Sequence, residues 1–295
     1  MTVLGARWVE GVAIARVDRD GVVTDEPLVG LELAYRATPE RRCLGRHAGP
    51  DDDGVCQRRP GNGERRCGAC AAAEAAFAAN LHHAHTRDRR LLSDDARRHL
   101  AQPNHLYVAV FADGTAKIGT STQVRTTTRW AEQGAWLAAV VGSAADGIDI
   151  RHAEDRVTAE LGLPQTAAVG RKIGGLVAPR PDDELTRLLD QLADQVANLL
   201  EIDPTIETVR DITSWRHPGR ADLAPGDRHR YPDRLDEGAH QLRVEAAVGR
   251  AVVVTRTHPG AGDDRFVADL GQLFGVVGEP GRHDVADIVI QDALF

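Results

Sequence analysis

Apolar residues recur through Val12, Ile14 and Val17 in polar surroundings, and an Asp20-Gly21 pair interrupts them before Val22-Val23. That pattern predicts strands and a tight turn across residues 7 to 35. From 36 to 70 the periodicity is lost and Arg and Gly dominate, which predicts a loop-rich stretch; an Ala-rich helix is expected over 71 to 84 and a shorter one over 94 to 100. His105 to Phe111 and Thr115 to Gly119, joined at Asp113-Gly114, predict a hairpin. Ser121 or Thr122 is placed to cap a helix that Gly134 would end. An apolar strand over 136 to 142 follows, then a helix over 148 to 162, with Ile150, Ala153, Val157 and Leu161 at spacings of three and four. The order expected for this middle segment is strand, strand, helix, strand, helix.

A further helix is predicted over 183 to 200 from Leu185, Leu189, Leu192, Val196 and Leu199, a seam short enough to read as core packing rather than a coiled coil. Residues 203 to 240 are dense in Pro, Gly, Arg and Asp and read as an exposed linker. From 241 the pattern returns to strands at 242 to 248, 251 to 257, 266 to 270, 273 to 277 and 285 to 290. They predict either a small antiparallel barrel or a sheet shared with the amino-terminal strands. The class is α+β, divided into 1–100, 101–202, the linker 203–240 and a small β-rich domain 241–295.

Composition adds three constraints. No apolar run approaches the length of a membrane span and the first residues lack a signal-peptide pattern, so a cytoplasmic protein is expected, with no membrane partner. The 36 basic residues comprise 34 Arg and two Lys, and both lysines precede Ile-Gly, at Lys117-Ile118-Gly119 and Lys172-Ile173-Gly174. In so Arg-biased a chain each lysine points to a requirement specific to Lys. The net charge of -8 is also uneven: residues 36 to 130 hold 16 basic and 10 acidic residues, the remainder 20 and 34. A local polyanion-binding face fits this distribution, and so does an unevenly charged solvated surface.

All four cysteines fall within 28 residues, Cys43, Cys56, Cys67 and Cys70, the last two as CxxC. Clustered thiols in a reducing compartment point to a closed tetrahedral zinc site. His47, His82, His83 and His85 are nearby substitutes for one ligand, and an iron–sulfur cluster or a redox switch is an alternative.

Leu106-Tyr107-Val108, then Lys117-Ile118-Gly119, Arg129 and Glu154 resemble the GIY-YIG nuclease superfamily over about 60 residues. More narrowly, Lys117-Ile-Gly with Arg129-Trp130-Ala-Glu-Gln-Gly134-Ala135 is similar to an uncharacterised bacterial family of GIY-YIG relatives with an upstream cysteine cluster and a β-rich tail. The resemblance implies a ββαβα core and a divalent-metal-dependent phosphodiesterase or endonuclease acting on nucleic acid, DNA in preference to RNA. It places Tyr107 at the attacking water, Arg129 on the phosphate and Mg²⁺ or Mn²⁺ on Glu154. Lys117 stands where the superfamily most often has tyrosine and is a candidate base or a static phosphate contact; the first motif's glycine is replaced by His105, a second base or a strand-edge residue. Arg125, one turn before Arg129, and Lys172 are candidate substrate contacts. Two alternatives follow from the departures: a non-cleaving nucleic-acid-binding or regulatory protein, and a fold recruited to metabolite chemistry.

Overall fold

Two glycine turns shape the amino-terminal strands. Glu10 and Gly11 take φ of 48° and 83°, and Asp20 and Gly21 take 54° and 90°, the left-handed pairs that match strand twist in two-residue hairpins. They connect β1 (Thr2–Val9), β2 (Val12–Arg19) and β3 (Val22–Pro27), and β4 (Glu32–Arg41) follows. The first hairpin, at Glu10-Gly11, was not expected from the apolar pattern. This computed structural model describes residues 1–46, 56–81, 84–86, 88, 90, 92–285 and 288.

Next come α1 (Gly68–Leu81) and α2 (Asp94–Leu100). The middle segment has the predicted order, as β5 (Asn104–Val110), β6 (Ala116–Thr122), α3 (Thr126–Gln133), β7 (Leu137–Ala144) and α4 (Gly147–Leu161). Neither Ser121 nor Thr122 caps α3 directly, because a 3₁₀ turn over Gln123–Arg125 intervenes. Gly134 does end the helix, with φ 71°. An unexpected helix, α5 (Val169–Val177), carries the second Lys-Ile-Gly, and α6 (Asp182–Leu200) follows as predicted. Among the described residues no helix is long and apolar enough to cross a membrane.

The segment expected as an exposed linker is laid along both sheets. It forms β8 (Glu207–Thr208), β9 (Trp215–Arg216) and β10 (Arg228–Arg230). The first two pair with β7, through Gly142↔Thr208 and Ala138↔Trp215, and β10 runs parallel to β13 (Arg265–Asp269). Two- and three-residue strands have no periodicity to read. The remaining strands are β11 (Ala239–Val248), β12 (Ala251–Arg256) and β14 (Val276–Pro280). The strand expected over 285 to 290 lies largely outside the described residues.

The carboxy-terminal strands form a shared sheet with the amino-terminal ones, in the order β10-β13-β12-β11-β4-β14-β1-β2-β3. A separate small domain from 241 is therefore not what forms. The reason lies in β11, which a register shift between Val244 and Ala246 divides. Leu242 and Val244 fill the core above β1–β4, while Ala246 and Val248 fill the other core, against the central unit. A strand buried on both faces cannot stand at the outside of a free barrel. The second sheet, β6-β5-β7-β8 with β9 also on β7, buries Leu106, Val108 and Val110 against α4 and against Leu185, Leu189 and Val196 of α6. The leucine seam of α6 is thus core.

His217 joins the two halves. Its ring is 2% exposed, edge-on to Trp8 of β1 at 4.6 Å and to Trp215 at 5.6 Å. The Gly219 amide donates to Nδ1 at 3.0 Å, so Nε2 is the protonated nitrogen and donates to the Ala131 carbonyl of α3 at 3.1 Å. A second proton would remove the acceptor that Gly219 needs, and burial lowers this histidine's pKa to about 4. Because the unfolded chain takes the proton near pH 6.5 and the folded one near 4, stability should be full above about pH 6.5. It should fall by up to about 3 kcal/mol as the pH drops toward 4. Denaturant melts across that window test this, and a His217→Gln variant should lose most of the slope.

Candidate functional site

The pairing of β5 with β6 places Tyr107 opposite Gly119, Ala109 opposite Lys117 and His105 opposite Ser121. Alternation turns Tyr107 away from the α4 core and toward α3, where it packs with Ala109, Trp130, Ala135 and Ala138. Its ring meets Trp130 edge-on at 5.7 Å and its hydroxyl donates to Gln133 Oε1 at 3.0 Å. Tyr107 is fully buried. The glycine of Lys117-Ile118-Gly119 supplies the room: a Cβ there would lie 2.6 Å from the tyrosine's Cζ and from its oxygen.

Lys117 stands beside this tyrosine, and the chain's other lysine, Lys172, lies within reach of Lys117's charge. Lys117 is 7% exposed, donates from Nζ to the Gln165 carbonyl at 3.0 Å and stands 5.7 Å from the Tyr107 ring centroid. Burial and then the Arg129 charge lower its pKa to about 8, against the opposing pull of Glu154; the Lys172 charge lowers it further. Lys172, on α5, donates to the Gln133 carbonyl at 2.7 Å and lies 4.7 Å from the centroid of Phe111. Burial, Arg250 and Arg129 hold it near 8 as well. Gln133 therefore carries Tyr107 on its side chain and Lys172 on its main chain; it belongs to the Arg129-to-Ala135 run, but no role was expected of it there. Its place at the last turn of a helix ended by glycine was the available signal.

Glu154 is 3% exposed, on the face of α4 toward β6, and its Oε2 accepts from Arg151 Nη1 at 2.9 Å. Burial raises its pKa, and Arg151 and Lys117 oppose the rise. Arg151 is the second residue missed; an Arg three positions before a Glu on one helix face was the legible sign. Arg129 is exposed, and its charge bears on Tyr107, Lys117 and Lys172. For Tyr107, burial raises the pKa, with Arg129 opposing and Glu154 reinforcing. Tyr107, Lys117, Arg129, Glu154 and Lys172 thus form one electrostatic cluster.

Two expected residues stand apart from it. Arg125 lies in the 3₁₀ turn rather than on α3, so it is not one helical turn from Arg129, and Glu132 takes its guanidinium at 3.2 Å. His105 shares the sheet face of Tyr107, but its Nδ1 is bonded to Thr126 Oγ1 at 3.0 Å. Burial alone lowers its pKa. It lines a separate cleft of about 490 Å³ with Pro103, Ser143 and Glu207.

The four cysteine sulfurs all lie within 4.8 Å of one another. Tetrahedral ligation with Zn–S near ~2.3 Å sets sulfurs roughly 3.8 Å apart, and Cys56 and Cys67 are at 3.9 Å. The amides of Gly45 and Cys67 point at Cys43 Sγ from 3.4 and 3.2 Å, as suits a thiolate. The Cys70 amide lowers the Cys67 thiol to about 7, while burial raises Cys70 to about 12. The four sulfurs can hold one metal ion such as zinc. Of the nearby histidines, His47, His82 and His83 lie outside the described residues, and His85 is bonded to Asp155 at 2.9 Å.

The two Lys-Ile-Gly sequences differ in what their glycines do, which gives a paired test. Gly119→Ala should cost about 1–3 kcal/mol of stability through forced overpacking on Tyr107. Gly174→Ala, in α5 with nothing within 4 Å of the added carbon, should leave stability unchanged or raise it by up to about 1 kcal/mol. Denaturant melts of the two variants decide it; equal losses would mean that Gly119 makes no such contact.

Residues 30–163 match the model of a family described as protein of unknown function (DUF2797). The match runs from β4 through the cysteines to α4 and stops short of α5, covering somewhat less than half of the chain. No curated protein and no solved structure matches it.

Proposed function

We propose that the chain is a phosphodiesterase of the GIY-YIG type that acts on nucleic acid. One observation carries this: Tyr107, Lys117, Arg129 and Glu154, spread over β5, β6, α3 and α4 in the order the superfamily uses, bear on one another's charge at a single place. Arg129 is the exposed cation that meets a phosphate. Lys117, held near pKa 8, has an appreciable neutral fraction at neutral pH and is the base that the tyrosine more common at this position would otherwise be. In the step proposed, a water oxygen bonds to phosphorus as its proton passes to Lys117. The bond to the leaving oxygen breaks, and that oxygen is protonated from solvent. Tyr107, held by Gln133, orients the water.

A resident Mg²⁺ or Mn²⁺ on Glu154 does not fit the residues present. The carboxylate is the cluster's one acid, Arg151 occupies an oxygen of it, and Lys117 lies near enough to oppose a second cation. The step above is therefore written without a metal. A second reading is favoured by the burial of Tyr107 and by the closed Arg151–Glu154 pair: a protein that binds nucleic acid at this cluster without cutting it.

The cysteine cluster we assign to a structural zinc that ties the end of β4 to the start of α1. Around it, Arg42 is paired to Asp18 at 2.6 Å, Arg59 to Glu40 at 3.3 Å, and Arg66 to the Gly45 carbonyl at 2.9 Å. Arg58 and Arg65 are exposed and face solvent as phosphate contacts.

Incubation with DNA and RNA panels, in EDTA and with added Mg²⁺ or Mn²⁺, tests the activity. Cleavage should rise with pH and level off above about pH 8. Lys117→Arg, which keeps the charge but cannot give up its proton at that pH, should lower the rate by about 10²–10⁴ while retaining binding. Salt-sensitive binding with no cleavage under any condition establishes the second reading. For the zinc, elemental analysis should find one equivalent per chain with four unreactive thiols. Protein that is folded as purified, yet contains no zinc and has four freely reactive thiols, would refute the assignment.

A further inference from the structure

The place where the resemblance asks for a divalent ion is filled by part of the protein. Arg151 stands one turn before Glu154 on α4, its Nη1 2.9 Å from the carboxylate, and the two side chains are 22% and 4% exposed. Glu154 feels the charges of Arg151 and Lys117, with Asp155 opposing them, and Lys117 in turn feels those of Arg129, Lys172 and Arg151. The next acid, Asp155, is committed to His85 at 2.9 Å and Gln165 at 2.8 Å. Among the described residues, the cysteine cluster alone brings three or more ligand side chains together. A further divalent charge would enter a place already positive, whereas a phosphate would be drawn to it.

We infer that Arg151 is an internal counter-ion that stands in for a divalent cation at Glu154, so that the free protein takes a nucleic-acid phosphate at this cluster and no metal ion. The nucleic acid as source of the phosphate rests on the phosphodiesterase reading; the counter-ion itself does not. In that state Lys172 and Arg129 supply the positive charge that meets the phosphate, Lys117 stays free to act as the base, and Glu154 fixes Arg151 beside it.

The experiment uses the full chain with its cysteine site zinc-loaded. Mn²⁺ is titrated and the free ion followed by electron paramagnetic resonance, for the unaltered protein and for Glu154→Gln, Arg151→Gln and Arg151→Lys. The unaltered and Glu154→Gln curves should superimpose. Arg151→Gln should gain one site at least about tenfold tighter, the effect of removing a like charge at close range. That site should vanish in the double variant Arg151→Gln/Glu154→Gln, and Arg151→Lys should follow the unaltered protein. An ion bound by the unaltered protein and lost in Glu154→Gln overturns the inference, and this comparison decides even if Arg151→Gln does not fold. In parallel, a short labelled oligonucleotide is titrated in EDTA, where binding is expected and Arg129→Ala should weaken it. Binding that appears only with Mn²⁺ overturns the inference and leaves the phosphodiesterase reading standing. Binding under neither condition sinks that reading and the nucleic-acid half of the inference, while the Mn²⁺ curves still judge Arg151.

Discussion

The backbone turn that ends α3 and the turn between β11 and β12 touch, and the site depends on that contact. A Cβ on Gly134 would lie 2.9 Å from the Val248 carbonyl oxygen, and one on Gly249 would lie 2.7 Å from the Gly134 nitrogen. Both residues also take positive φ, 71° and 64°, so the turns need glycine for conformation as well as for space. Gln133, one residue before this contact, holds the Tyr107 hydroxyl with its side chain and Lys172 with its carbonyl. Any change in how the nine-stranded sheet seats on the central unit would therefore reach the tyrosine through a single residue. His217 fixes the same helix two residues earlier, at the Ala131 carbonyl, so α3 is held against the large sheet at both points.

With α3 fixed, the charges can be placed. The chain carries a net -8, yet both lysines are sunk within reach of the Arg129 charge, Lys117 with Arg151 and Glu154 and Lys172 with Arg250. Burying ammonium groups is costly unless they are hydrogen-bonded. Each lysine meets that need with a main-chain carbonyl, from Gln165 or Gln133. Carbonyls satisfy the donors without cancelling the charge, so burial first, and the neighbouring cations after it, lower both lysines toward pKa 8. An arrangement that keeps positive charge in place with neutral partners suits an incoming anion.

The middle of the fold was legible because its signals are local and periodic. The Asp113-Gly114 turn, the three- and four-residue spacing through Ile150 and Val157, and the glycine ending α3 each act within a few residues. So did the cysteine spacing, whose sulfurs converge. What was hidden depends on partners distant in sequence. Nothing near Ala246 and Val248 says that they face a different core from Leu242 and Val244, and the division comes from a one-residue register shift. The pairing of β8 and β9 rests on β7, and two-residue strands leave no pattern. Arg125 was misplaced because a 3₁₀ turn displaces the start of α3, which residue spacing alone does not reveal. Lys172 was singled out by its rarity, but its contact with Gln133 spans 39 positions.

That last contact bears on how much of the chain is needed for whatever the cluster does. The family match ends at residue 163, after Glu154 and before Lys172, so it includes the ββαβα unit and the cysteines but excludes α5. In the structure α5 closes against the end of α3 and against the β10–β13 edge of the large sheet. Its Gly175 packs so tightly that an added Cβ would lie 2.6 Å from the Asp113 amide, in the β5–β6 turn. The second lysine is thus delivered by a helix wedged between the two sheets, and its position is set by both. The central unit supplies Tyr107, Lys117, Arg129 and Glu154, while the carboxy-terminal strands, through Gly249 and through the seat of α5, determine where Lys172 and Gln133 stand. The site is consequently a property of the assembled chain rather than of the 60-residue segment in which most of its residues were first seen.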